Sequence, residues 1–419
     1  MKVNSFLKIT AFLLAVCLVV IIGCKYDVAE PEWNKPIANN TTVTINSIDP
    51  IQEALPGVNT ITIHGSGFDS AIDTMAIHLA VTNRDTTTVY QGIYFDKVPA
   101  DVIEITSTSI TMRRPNIVSD SCMIKVIPDK ALVGAKIGPY KIDAVKLQST
   151  AFLDNLPLGT ISIDTIGNLY VIKGVAPCII YKVTPAGDKT VIGTARYTPT
   201  DAKIGMDGNL YYLNSQFQKR IYMVNVNGSA TSTDSLRFNA LVNINYGDFD
   251  DNGYFYAGGN LTGMVVVRPN GSQRTESFYN SDKVLGVRVF NKYLYVAAGK
   301  AIYRHSISDT SKVGNKELVL DLSNGIFTSR LIKAFSFSAD GSKMYIGTDS
   351  PDPILIATDA MNIPITPDRV DILYKNILPS NCKNLCFANK LYMISGNASP
   401  AVNWTVFQVD VGTTGAPYY

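Results

Sequence analysis

Six stretches decide the fold: SIDTIGNLYVI (162–172), KIGMDGNLYYL (203–213), DFDDNGYFYAG (248–258), VRVFNKYLYVA (287–297), SFSADGSKMYIG (336–347) and LCFANKLYMIS (385–395). Each is an apolar run, a polar turn and a second apolar run with a tyrosine near its start. Those tyrosines are Tyr170, Tyr211, Tyr256, Tyr295, Tyr345 and Tyr392, spaced 41, 45, 39, 50 and 47 residues apart. Most units continue with a further phrase: IIYKVTPAG (179–187), RIYMVNVNG (220–228), VVVRPNG (265–271) and AIYRHSI (301–307). The alternation is that of short strands separated by Gly, Asn and Asp turns, and helical periodicity is nearly absent.

A period of about 40–50 residues with four short strands is one blade of a β-propeller. Blades stacked around an axis bury both faces of their inner strands. Continuously apolar runs such as Leu169-Tyr170-Val171-Ile172 are therefore expected. Six phrases give six blades over residues 146–419, and ring closure hides the sheet edges. The last unit lacks a clear fourth strand after 406–411, so residues near 145–152 are expected to supply it. The repeats are degenerate, but the pattern resembles the six-bladed NHL-type propellers.

Residues 43–145 have a different texture. Thr44-Ile45-Asn46-Ser47-Ile48 and Thr60-Ile61-Thr62-Ile63 alternate, the second ending in Gly65-Ser66-Gly67-Phe68. About seven strands in about 100 residues suit an immunoglobulin-like β-sandwich. In order, INSIDP (45–50), ITIHGSGF (61–68), GIYFDKVPADVIEITSTSITMRRP (92–115) and CMIKVIP (122–128) resemble the IPT/TIG domain family. The departure is an insertion around 83–88. The expected fold class is thus all-β: an N-terminal immunoglobulin-like IPT/TIG sandwich followed by a six-bladed β-propeller. Domains of the IPT/TIG family are generally spacers or interaction modules, which implies little about chemistry.

The N-terminus reads as an export signal. Lys2 and Lys8 precede a run without charge from Ile9 to Gly23. That run is short for a bilayer-spanning helix, which takes roughly 20 apolar residues. It ends in Ile21-Ile22-Gly23-Cys24, which resembles a lipobox. The resemblance implies cleavage after residue 23, lipid attachment at Cys24, and the membrane as a partner. Residues 24–42 hold Pro31 and Pro36, show no period, and read as a flexible tether. Acidic Asp27, Glu30 and Glu32 behind the cysteine are compatible with export to the surface. The expected place is the outer membrane, lipid-anchored and facing the cell exterior, with a periplasmic orientation left open. Without Lys2 and Lys8 the basic count falls from 37 to 35, equal to the acids. A near-neutral chain without basic clusters is not a nucleic-acid binder.

Candidate chemistry is sparse. Asp248-Phe249-Asp250-Asp251-Asn252-Gly253 matches the first half of a calcium loop, yet the twelfth position is Gly259, where Glu is required. Asp164, Asp207 and Asp340 occupy the same turn elsewhere, so the run reads as a blade turn. Three histidines, His64, His78 and His305, form no ligand spacing. No metal, cofactor or catalytic residue is assigned. Propeller lactonases and lyases use central carboxylates or histidines, and an acid cluster on the axis stays open as an enzymatic alternative. Cys122, Cys178, Cys382 and Cys386 read as buried small apolar residues, with a disulfide as the alternative. Cys382 and Cys386 would share a strand face about 13 Å apart, too far to bridge. Trp404, opening a late strand, reads first as a residue buried in the blade and second as a candidate ligand platform; Trp33 lies in the tether. Tyr418 and Tyr419 are expected to pack at the ring edge. Asp-Ser/Thr triplets at 69–71, 73–75, 164–166 and 234–236 resemble an O-glycosylation sequon of Bacteroidetes, and are also ordinary turn pairs.

The whole arrangement resembles the surface lipoproteins of Bacteroidetes that accompany polysaccharide uptake. It implies a non-catalytic protein that binds a glycan or protein ligand through its propeller. A propeller enzyme (lyase, lactonase or glycoside-active) and a scaffold docking an outer-membrane transporter are the alternatives.

Overall fold

The computed structural model describes residues 42–68, 92–127, 134–153, 156–214, 216–217, 219–308, 310–396 and 404–418. The signal, Cys24, Trp33, the tether, His78 and the 83–88 insertion lie outside them.

Alternation builds the small domain. In Thr60–Ser66, Ile61 and Ile63 point inward while Thr60, Thr62 and His64 do not. One sheet orders strands Thr44–Asp49, Thr60–Ser66, Ser109–Arg113 and Val102–Ile105. The facing sheet orders Glu53–Ala54, Ala135–Ile142, Ser119–Ile127, Gly92–Phe95 and Val98–Pro99. Between them Ile61, Ile63, Phe95, Ile110, Met112, Ile124 and Tyr140 form one core.

Six four-stranded antiparallel sheets follow, one for each repeated phrase. Their inner strands are Leu158–Ile163, Pro199–Ile204, Tyr246–Phe249, Val284–Phe290, Ile332–Phe337 and Cys382–Phe387. All six residues of Leu158–Ile163 are buried, as expected of a strand covered by a blade on each side. The sixth blade is completed by Lys146–Gln148, which pairs with Trp404–Val409. The segment ahead of the first blade thus supplies the last blade's outer strand and closes the ring.

Two devices recur. The first is a turn latch. Asp164 accepts from Asn168 N (2.8 Å) and Tyr170 Oη (3.0 Å). Asp207 accepts from Asn209 N (3.1 Å) and Tyr211 Oη (2.9 Å). Asp250 accepts from Tyr254 N (2.8 Å) and Tyr256 Oη (3.0 Å). In blades one to three the repeat tyrosine is therefore both core and the hydrogen-bond partner of its own turn. The second device is a β-bulge in five inner strands, for example between Leu158 and Thr160 and between Pro199 and Asp201. A bulge re-aims the residues beyond it. The one between Cys382 and Asn384 corrects the expectation of a shared face. Cys382 enters the core between blades five and six, Cys386 that between blades six and one. All four described cysteines are free and buried.

The small domain is fastened to blades five and six. Arg113 Nη1 reaches both Asp371 carboxylate oxygens (2.9 and 3.0 Å), and Asn59 Nδ2 donates to one of them (2.7 Å). Tyr374 Oη accepts from Gly57 N (2.6 Å) and donates to Asp410 O (2.7 Å). Gly57 has φ +94°, and a Cβ there would stand 2.8 Å from Val411 O, so only glycine fits.

Candidate functional site

The antiparallel register places one residue of each inner strand opposite the repeat tyrosine. These are Ser162, Lys203, Asp248, Arg288, Ser336 and Cys386. Two positions earlier stand Thr160, Asp201, Tyr246, Gly286, Ala334 and Asn384. Polar groups at such positions are conspicuous in strands that are otherwise apolar. Sequence reading named Asp248 only as part of a turn and Cys386 only as a buried apolar residue, and did not bring these positions together, although the tyrosine register would have done so.

Two ion pairs occupy this axial region. Asp201 is 3% exposed and lies 2.7 Å from Lys203 Nζ. It also accepts from Ala202 N (2.9 Å) and Gly247 N (3.2 Å). Burial by itself lowers the Lys203 pKa, but Asp201, Asp248 and Tyr418 raise it and prevail, so the ammonium stays charged. Asp248 is 2% exposed and lies 2.7 Å from Arg288 Nη1; Val289 N donates to the same oxygen (2.8 Å).

The C-terminal segment closes one end. Ala416 N donates to Phe337 O (2.8 Å) and Ala339 N to Thr414 O (2.9 Å), which lays residues 414–416 across the turn of blade five. Arg288 Nη2 donates to Ala416 O (3.0 Å) and Pro417 O (2.6 Å), and its guanidinium stacks 3.9 Å from the Tyr418 ring centre. Phe387 N donates to Tyr418 Oη (3.2 Å). Tyr418 thus packs on the axis, not at the ring edge. Bounded by Asp201, Lys203, Tyr246, Lys333, Asn384 and Tyr418, the remaining cavity offers about 20 Å³ to the centres of water-sized spheres. That is room for one or two waters.

The candidate residues read from the sequence are scattered. Trp404 is 9% exposed and packs with Phe152, Leu158 and Ile394, with Lys383 Nζ 5.1 Å from its ring centre. The exposed-platform reading of Trp404 gives way to packing between blades. Asp248, Asp250 and Asp251 do not converge: the first pairs with Arg288, the second holds its turn, and the third accepts from Asn252 Nδ2 (2.9 Å). His305 is buried; its Nδ1 donates to Gly314 O (3.0 Å), which leaves Nε2 to accept from Tyr279 Oη (2.7 Å). Burial holds its pKa below the ordinary range. Among the described residues no three His, Cys, Asp or Glu side chains gather as a metal site. Of the Asp-Ser/Thr triplets, 164–166 and 234–236 are described. Thr165 and Ser235 are exposed, while Asp234 is buried and accepts from Tyr212 Oη.

Fold and axis define an immunoglobulin-like domain docked on a six-bladed propeller whose centre is filled by its own ion pairs and tail. Residues 43–141 match the IPT/TIG domain. Among solved structures, a luciferin-regenerating enzyme is similar at 14% identity and a TM-score of 0.52, covering 65% of this chain and 98% of that one. An auxiliary nutrient binding protein from Bacteroides thetaiotaomicron VPI-5482 is similar at 10% identity and a TM-score of 0.49, over 88% and 98%. A calcium-binding regucalcin from Agrobacterium tumefaciens is similar at 13% identity and a TM-score of 0.48, over 66% and 97%. At these identities the likeness is one of fold. No curated protein matches the chain in sequence.

Proposed function

We propose that this protein is a lipid-anchored, non-catalytic binding protein of the outer cell surface. The IPT/TIG domain acts as a docked stalk, and the propeller takes up a glycan or protein ligand with its outer faces. The lipobox at Ile21–Cys24 and the tether motivate the anchor; the resemblance to polysaccharide-uptake lipoproteins motivates the ligand class. One observation carries the binding reading over the enzymatic one: the axis is occupied. Asp201 and Asp248 each hold a cation, 2.7 Å away in both cases, and Tyr418 stands beside them. A substrate needs more than about 20 Å³, and a general acid or base needs a proton position that is not already committed.

The test uses residues 25–419 titrated calorimetrically against plant, host and microbial polysaccharides, with products followed by chromatography. Binding without new products supports the proposal. Product formation that disappears in Asp201→Asn would sink it and favour catalysis on the axis. Mass spectrometry of the native N-terminal peptide tests the anchor: a diacylated Cys24 is expected, and an unmodified one overturns it.

A further inference from the structure

The face built from the turns between first and second strands carries a pocket between blades two and three. It offers about 200 Å³ to the centres of water-sized spheres, ten times the axial cavity. Its wall is apolar and aromatic, from Met206, Phe238, Phe249, Phe255 and Pro269. Arg237 and Arg268 stand at its rim, both exposed. Neither guanidinium has a carboxylate within salt-bridge distance among the described residues. Asp207 also lines the pocket, but its carboxylate is taken by Asn209 and Tyr211. Arg237 feels the field of Asp207 and bonds Tyr211, and Arg268 Nη1 donates to Ser272 Oγ (3.5 Å), but neither guanidinium is held in a salt bridge at the opening.

Asn252 lines this pocket and also a second one, between blades three and four, of about 370 Å³. There the lining is more polar, with Asp251, Asn252, Asn291, Lys292 and Ser308 beside Val289 and Ile307. The side chains of Asn291 and Lys292 make no hydrogen bond or ion pair among the described residues. An amide and an ammonium left free in a groove are suited to hydroxyl-bearing ligands.

We propose that these two pockets form one binding groove for an acidic oligosaccharide. The pocket between blades two and three takes a sugar unit bearing a carboxylate or sulfate, its apolar ring face on Met206 and Phe238 and its anion on Arg237 and Arg268. A guanidinium matches a carboxylate or sulfate with two parallel N–H donors. Neighbouring units then lie across Asn252, with their hydroxyls on Asn291 and Lys292. The inference rests on the binding reading above and adds the face, the groove and the charge of the ligand.

The experiment titrates residues 25–419 with oligogalacturonate, its neutral methyl ester, a sulfated chondroitin oligosaccharide and a neutral cello-oligosaccharide. The acidic or the sulfated ligand is expected to bind, with affinity falling as salt rises; which one binds tells carboxylate from sulfate. Arg237→Ala and Arg268→Ala should each weaken it about tenfold, and Asn291→Ala by less. Both arginines are exposed, so loss of fold is not a confounding outcome, and circular dichroism checks it. Equal binding of the neutral ligands, or full affinity in the double arginine variant, overturns the groove. Binding only to another glycan or to a protein also overturns it, while leaving the broader function standing.

Discussion

Replacing Arg288 by methionine should cost the propeller about 4 kcal/mol. Arg288 and Asp248 are 1% and 2% exposed and 2.7 Å apart. Methionine fills much of the same volume but leaves the Asp248 carboxylate buried with a single backbone donor, Val289 N. Removing one partner of a buried pair costs about 3–5 kcal/mol. The carbonyls of Ala416 and Pro417 lose their donor as well, and Tyr418 loses the cation on its ring. Asp248→Asn should cost about 3 kcal/mol for the converse reason. In the double variant neither charge is left alone, so its loss should fall short of the sum by at least about 2 kcal/mol. The assay is urea denaturation of residues 25–419 carrying Trp33→Phe, so that the fluorescence is that of Trp404, which reports packing between blades six and one. Single variants within about 1 kcal/mol of the parent, or strictly additive losses, would refute the axial pair as a mutually dependent unit.

The turn latch separates the repeat tyrosines. Tyr256→Phe should destabilise by about 1–2 kcal/mol, because Asp250 loses a donor. Tyr345→Phe should be neutral or slightly stabilising, since its buried hydroxyl has no partner among the described residues; equal losses in urea midpoints would contradict the latch. For His305 the expectation concerns pH. Burial depresses its folded pKa, so below about 6.5 the unfolded chain binds a proton that the native imidazole refuses. The stability it contributes is complete above that pH and erodes as pH falls toward the folded value. Urea midpoints at pH 7.5 and 5.5 should converge more in His305→Gln than in the parent, and identical pH dependence would count against it.

The blades are legible in the sequence because burial on both faces leaves a local signature. A run such as Leu169–Ile172 must be apolar throughout, and a period of 40–50 residues can only repeat if each unit makes the same contacts. The IPT/TIG strands were legible for the complementary reason: one face is wet, so Ile61 and Ile63 alternate with Thr60 and Thr62. For Cys382 and Cys386 the spacing argued against a bridge, but did not show the reason they stay apart. A bulge between Cys382 and Asn384 depends on how the neighbouring blades crowd the inner strand. For Trp404 the sequence offers burial in the blade and an exposed platform, and only the neighbours decide between them, here Phe152 from the far end of the propeller's sequence.

By itself, then, the sequence determined the class of fold, the number of blades and the order of the parts. These depend on local alternation and on a repeat, both of which are written along the chain. The tertiary structure alone decided what stands at the centre. Asp201 with Lys203, Asp248 with Arg288, and Tyr418 against Arg288 bring together side chains as far as 130 residues apart. No periodicity encodes those meetings, because they arise only when six blades close around one axis and the tail is laid across it.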